Sequence, residues 1–378
     1  MGIVIREEDI EHIRQIADRE RAPFYVVGET TGDHRFVFEQ TDGVKPIDLA
    51  MEDMFGKAPR TVMTDRTVEE TYEDVTYDQT QLDEYVERVL QLEAVACKDW
   101  LTNKVDRSVT GKIARQQCQG EIQLPLSDCG VVALDYRGRA GIATSIGHAP
   151  QAALVDPAAG SVLSIAEALT NIVWAPLSEG LDSVSLSANW MWPCKNEGED
   201  ARLYRAVEAC SDFACSLGIN IPTGKDSLSM TQKYGKDKVY SPGTVIISAG
   251  AEVSDILKVV SPVLRTGVDS MVYYIDFSFD KLKLGGSAFA QSLDKIGKEV
   301  PSVQDSEYFA NAFNAVQELI NKELILAGHD ISAGGMITTM LEMTFANTEG
   351  GLEVSLDEIP EKDLVKILFS ENPGILIQ

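Results

Sequence analysis

Basic residues are scarce in this sequence of 378 residues. Its 33 lysines and arginines stand against 59 aspartates and glutamates, for a formal net charge of −26. Such a field repels polyanions, so nucleic acid and anionic lipid are excluded as nonspecific partners, and an anionic small ligand would need a local exception. Long apolar runs are also missing. The longest, such as Thr244–Ala251, fall well short of the roughly 20 residues that cross a bilayer, and the N-terminus has no basic-then-apolar signal pattern. The expectation is a cytoplasmic protein with no membrane partner. Histidines number four and cysteines six, and no C-x-x-C pair occurs. Neither a zinc site nor a disulfide framework follows, and the cysteines read as reduced packing residues. No serine or cysteine sits in an elbow motif, so acyl-transfer chemistry has no candidate and the catalytic residues are unknown.

What is present is a composition that folds. At 44% hydrophobic residues the chain can bury a core, and its length corresponds to two or three domains of about 100–200 residues each. Apolar periodicity and turn residues predict a strand at Gly2–Ile5, a helix at Glu7–Glu20 and strands at Pro23–Val27 and Arg35–Glu39. Residues 1–42 are too few to close a core alone. Residues 43–80 shift to Asp, Glu, Thr and Pro and read as a linker. Residues 81–260 form one mixed α/β domain, with a helix at Leu82–Lys98 and strands at Val131–Tyr136, Ser183–Trp192 and Thr244–Val253. A second α/β domain, 261–378, carries a strand at Met271–Phe277, a long helix at Glu307–Ala327 and a terminal strand at Gly374–Gln378. Gly2-Ile-Val-Ile-Arg6 and Pro373-Gly-Ile-Leu-Ile-Gln378 share one strand signature. Together they suggest a duplicated architecture cut in both copies, in which the first segment closes an earlier domain and could complete the last one.

Candidate chemistry begins in the helix Ser164–Val173, where Ile165, Leu169 and Ile172 make an apolar stripe and Glu167 and Asn171 share another face. An i, i+4 pair of hard oxygen donors suits magnesium, although a solvated helix face carries the same pair routinely. Asp128, in Leu124-Pro-Leu-Ser-Asp-Cys-Gly130, sits before an apolar strand that can aim it, and also reads as a turn former. His329-Asp-Ile-Ser-Ala-Gly-Gly335 joins two helices. Ser332 is placed there to cap the second helix, whose free N–H groups favour phosphate. A plain capped turn, with His329 merely packed, is the simpler reading. Thr223-Gly-Lys-Asp-Ser-Leu-Ser229 is not a Walker loop, because Ile219 and Asp226 occupy its first-glycine and final-hydroxyl places. Lys225 and Asp226 could still face a phosphate or lie on a surface turn. Lys98, Arg107 and Lys112 are further cations of a kind that is usually solvated. Ser187–Trp192 reads as core or interface packing.

Seven spaced motifs resemble, in order, the synthetase region of the large phosphoribosylformylglycinamidine synthases. They are Asp18-Arg-Glu-Arg-Ala-Pro23, Val109-Thr-Gly111, Leu126-Ser-Asp-Cys129, Glu167-Ala-Leu-Thr-Asn171, Ser187-Ala-Asn-Trp-Met191, Gly224-Lys-Asp-Ser227 and His329-Asp330. The resemblance implies an α+β, two-domain synthetase half of the aminoimidazole ribonucleotide synthetase-like superfamily, preceded by the end of the first half. The family enzyme is a C–N ligase. It converts formylglycinamide ribonucleotide, ATP and glutamine to the amidine in purine biosynthesis.

By the same resemblance, Asp128, Glu167, Asn171 and Asp330 would hold magnesium at an auxiliary ATP or ADP site. Ser127, Ser332 and Lys98 would contact the nucleotide. The glutaminase domain and most of the first half would be missing partners, leaving a fragment that is inactive alone and forms a homodimer through an exposed sheet edge or face near Val184–Trp192. A scaffold without nucleotide affinity is the competing reading. A stand-alone relative of the thiamine-monophosphate kinase or selenophosphate synthase group would need an N-terminus and a C-terminal domain that are not seen.

Overall fold

A computed structural model describes residues 2–57, 60–97, 107 and 111–378. The chain divides into two compact units, Met1–Met63 and Thr64–Gln378.

In the first unit, α1 (Ile10–Arg19) is followed by an antiparallel hairpin of β1 (Arg35–Phe38) and β2 (Ile47–Ala50), then by α2 (Met51–Phe55). None of its described residues is buried. The segments Gly2–Ile5 and Pro23–Val27, expected as strands, form no strand among the described residues, where no neighbouring strand pairs with them. β2 and α2 fall within the stretch read as a linker.

The second unit starts with a strap over residues 64–81. Asp65 accepts hydrogen bonds from the amides of Gly198 (3.2 Å) and Asp200 (3.0 Å). Further along, the Tyr72 hydroxyl donates to the Leu154 carbonyl at 3.3 Å and the Tyr77 hydroxyl to Asp363 at 2.7 Å. Helix α3 (Leu82–Leu90) is shorter than expected, ending in turns. Short strands β3 (Ile113–Arg115), β4 (Cys118–Gln119) and β5 (Leu124–Pro125) lead to β6 (Gly130–Ala133), β7 (Gly141–Gly147), α4 (Pro150–Val155), α5 (Pro157–Ile172) and β8 (Ser185–Met191). Next come α6 (Glu199–Ser216), β9 (Asn220–Ser227), the exposed hairpin β10 (Thr231–Tyr234) and β11 (Asp237–Tyr240), and β12 (Thr244–Val253). Six of these strands form one sheet in the order β3-β6-β7-β12-β8-β9, antiparallel except for β8 with β9.

The chain then forms β13 (Tyr273–Asp276), α7 (Ala288–Ser292), α8 (Ser306–Asn321), β14 (Gly328–Asp330), α9 (Gly335–Phe345), α10 (Leu364–Phe369) and β15 (Gly374–Ile377). The last strand lies between β13 and β14 in a three-stranded sheet.

Ile165, Leu169 and Ile172 are all fully buried, as the stripe predicts. Each contributes roughly 1.5–3 kcal/mol by leaving water. They belong to one core that continues through Phe277, Phe309, Phe313 and Ile375, so the large sheet and the smaller one share an interior. Gln317 on α8 locks the two together, donating to the carbonyls of Val173 and Ala175 and accepting the Leu177 amide.

The exposed edge expected near Val184–Trp192 is corrected. β8 is flanked on both sides by β12 and β9, with Leu186, Ala188 and Trp192 buried. The uncovered apolar residues of this sheet include Ile142 and Ile146, which alternate with buried neighbours along β7. Four of the cysteines, Cys118, Cys129, Cys194 and Cys210, are buried, and Cys97 and Cys215 are exposed.

Candidate functional site

Strand β7 runs so close to α5 that a Cβ on Gly147 would lie 2.2 Å from the Ser164 carbonyl oxygen. Only glycine permits this approach. It brings the main chain after β7 to Glu167, whose Oε2 accepts the His148 amide at 2.8 Å. One turn further along α5, Asn171 Nδ2 donates to the Ile146 carbonyl at 3.0 Å. The expected pair therefore shares a face, and its bonds clip the end of β7 to α5. That use of Nδ2 leaves the Asn171 amide oxygen available as a ligand.

Asp128 comes from the turn before β6 and Asp330 from the end of β14. The Asp330 amide donates to Asp128 Oδ2 at 3.3 Å. Between their side chains sits His329, with Nδ1 3.2 Å from Asp128 Oδ1 and 3.1 Å from Asp330 Oδ1. These three side chains are 4%, 3% and 6% exposed for Asp128, Asp330 and His329, and their ligand atoms all lie within 4.8 Å of one another. On the other side of the ring, His329 Nε2 is 3.2 Å from Glu342 Oε2, an ion-pair contact too poorly aligned for a hydrogen bond.

Burial opposes a charge on His329, yet Asp128, Asp330 and Glu342 outweigh it and hold the imidazole well above its ordinary pKa. The Asp128 carboxyl is itself pushed well up by burial, against the pull of His329 and with Asp330 adding to the rise. Glu167 is raised to about 8 by burial, with the charges of Asp330 and Glu371 reinforcing the shift. Asp330 Oδ2 is buried without a hydrogen-bond partner. An orphan carboxylate oxygen beside further carboxylates fits a hard divalent cation.

These groups adjoin a cavity of about 600 Å³ lined by residues including His148, Ala152, Glu167, Gly286, Ser332 and Glu371. Ser332 faces this space but does not cap the following helix. Helix α9 starts from Gly334, whose φ of 96° is open to glycine, and no side chain caps it as an N-cap residue. Instead, Glu371 Oε1 accepts the Gly334 amide and the Ala288 amide, each at 2.8 Å. The helix start expected to be free is thus already occupied. Burial lifts Glu371 to about 7, despite these two bonds.

Ser127 turns its hydroxyl to the Gln116 carbonyl at 2.8 Å. Lys98 lies outside the described residues, as do Val109 and Thr110 of one quoted motif. Arg107 is bonded to Gln116 and Gln123, and Lys112 to the Leu134 carbonyl. Lys225 lies exposed on β9, bonded to Ser227. The sequence reading passed over Glu371, Glu342 and His148, because single acids and histidines outside a spaced motif carry no signal of their own.

The comparisons with known proteins agree on the lineage. An FGAR-AT PurM_N-like domain matches residues 97–252, and the C-terminal domain of AIR synthase related protein matches 271–377. The human phosphoribosylformylglycinamidine synthase is 37% identical over 395 residues, covering 100% of this chain and 29% of the relative. A probable chloroplastic/mitochondrial phosphoribosylformylglycinamidine synthase of Arabidopsis thaliana is 38% identical over 393 residues, covering 100% of the chain and 28% of that protein. Among solved structures, Thermotoga maritima PurL complexed with ATP has a TM-score of 0.57 at 14% identity, over 99% of this chain and 51% of that one. PurL from the same organism complexed with FGAR has a TM-score of 0.55 at 14% identity, over 78% and 44%. These two likenesses show the fold alone, a mixed α/β architecture. By sequence the chain belongs to the phosphoribosylformylglycinamidine synthase family, and it spans about 29% of the length of the curated relatives it matches.

Proposed function

We propose that the chain supplies an auxiliary magnesium–nucleotide site to a phosphoribosylformylglycinamidine synthase, a ligase that joins nitrogen to carbon using ATP and glutamine, and that it makes no product alone. The observation that carries the reading is the buried Asp128–Asp330 pair, with its orphan oxygen, beside Glu167 and a cavity of about 600 Å³. Asp128, Glu167, Asn171 and Asp330 would hold the metal. Bound there, magnesium would neutralise the acids and the incoming phosphates together. Ser332, on the wall, would hydrogen-bond a phosphate, and Lys98 would contact the nucleotide. Ser127 shapes the turn that aims Asp128.

His329 orders the carboxylates by contacting both through Nδ1. With the glutaminase and most of the first half supplied by the rest of the protein, the site would be structural in this chain. The test is calorimetric titration with ADP and ATP, with and without magnesium, on the wild-type chain and Asp330→Ala. Magnesium-dependent binding that the variant loses supports the reading. Turnover with ammonia as donor by this chain alone would overturn the claim of inactivity.

One observation favours a scaffold without nucleotide affinity: among the described residues lining the cavity there is no lysine or arginine. Absence of nucleotide binding at millimolar magnesium selects that reading. In isolation the chain would pair with a second copy through the β7 face carrying Ile142 and Ile146. A monomer in sedimentation at high concentration counts against pairing.

A further inference from the structure

We infer that Glu371 makes the entry of a polyphosphate into this cavity conditional on a divalent cation. The inference deepens the proposed nucleotide site and rests on it for the identity of the ligand. It does not rest on it for the physics.

Helix α9 is 11 residues long and begins at a glycine in the left-handed region. Its first amides and the partial positive charge of its dipole would ordinarily welcome an anion. Here that place holds an acid already, one that is ionised above about pH 7. Glu371 reaches in from the segment before β15 and takes the Gly334 and Ala288 amides on a single oxygen, Oε1, at 2.8 Å each. Glu371 also lines the cavity, as does Glu167, while no lysine or arginine appears among the described lining residues. A phosphate tail arriving alone meets Glu371 and Glu167 at a place where a helix start with free amides would offer N–H groups. A tail arriving with divalent cations finds its charge balanced and has Glu167, Asp128 and Asp330 to share them. The upward shift of Glu167, caused by burial and reinforced by Asp330 and Glu371, agrees that these acids act on one another.

A purely structural Glu371, acting as a double cap for two turns, would have the same hydrogen bonds. The two roles part at the side-chain charge: Glu371→Gln keeps an oxygen that can accept both amides and removes the negative charge.

The experiment is calorimetry on the full chain at about pH 8.5, where Glu371 is ionised, with inorganic pyrophosphate and with ADP, each in EDTA and in excess magnesium, for wild type, Glu371→Gln and Glu371→Asp. Wild type should ignore pyrophosphate in EDTA. Glu371→Gln should bind it at least about tenfold more tightly, as one removed charge at close range implies, and the gain should shrink with added salt. Glu371→Asp, which keeps the charge, should behave as wild type.

Unchanged pyrophosphate affinity in a folded Glu371→Gln chain overturns the inference. So does a wild-type chain that binds pyrophosphate equally well in EDTA and in magnesium, a result that needs no variant. If the pyrophosphate arms behave as expected but ADP with magnesium does not bind wild type, the nucleotide reading fails and the role of Glu371 stands.

Discussion

The main-chain N–H of Asp330 donates to Oδ2 of Asp128 at 3.3 Å, so one proposed metal ligand holds the other in place. An asparagine in place of Asp128 retains an oxygen for this bond but loses the charge. Asp128→Asn should therefore keep the fold and weaken magnesium binding by roughly tenfold or more. Asp128→Ala, which leaves His329 buried with one acid fewer, should in addition destabilise the chain by about 3 kcal/mol. Paired magnesium titrations and thermal melts separate the two effects.

The raised carboxyls give stability a definite slope with pH. Glu167 and Glu371 have ordinary values of 4.5 and rise to about 8 and about 7, chiefly through burial. Between the unfolded and folded values the native chain retains protons that the unfolded chain has released. The stabilisation is full below the lower value and is lost as pH rises through the upper. Melting temperature should fall from pH 5 to pH 8 in EDTA. Added magnesium should raise it more at pH 8 than at pH 6, and a shift of equal size at both would contradict this.

Gly147→Ala tests the close approach of β7 to α5. The new methyl would lie 2.2 Å from the Ser164 oxygen and 2.3 Å from the Ala168 nitrogen, both backbone atoms. The strand must retreat, at a cost of roughly 1–3 kcal/mol, carrying the His148 amide away from Glu167. Magnesium affinity should fall together with stability.

Gln317→Leu removes one side chain and leaves the Leu177 amide and the carbonyls of Val173 and Ala175 without it. All of this lies in the interior, so the loss should be about 2–4 kcal/mol. Chemical denaturation should show one transition, moved to lower denaturant.

Much of this architecture is legible in the residues because its elements follow period and punctuation. The β12 strand Thr244–Val253 and the Ile165–Leu169–Ile172 stripe lie where hydrophobic spacing places them. Glu167 and Asn171 share a face because the helical repeat requires it. Helix α3 stops short of its apolar pattern, since Leu92 and Val95 continue that pattern in turns that pack them against the same cluster. Local spacing assigns the cap of α9 to Ser332, whereas Glu371, the actual partner of the Gly334 amide, is 37 residues away. No local rule connects two residues across that distance. For the same reason, the acid-rich stretch around Asp65 and Tyr72 gives no sign that it straps onto the rest of its own unit.

The interior shared by the two sheets limits how far either can be separated from the other. Phe309 and Ile375 from the C-terminal domain complete a core with Leu169 and Ile247 from the other. Either domain moved alone would carry an open apolar wound into its new setting. Only together do they close this interior, so the two sheets hold as one body.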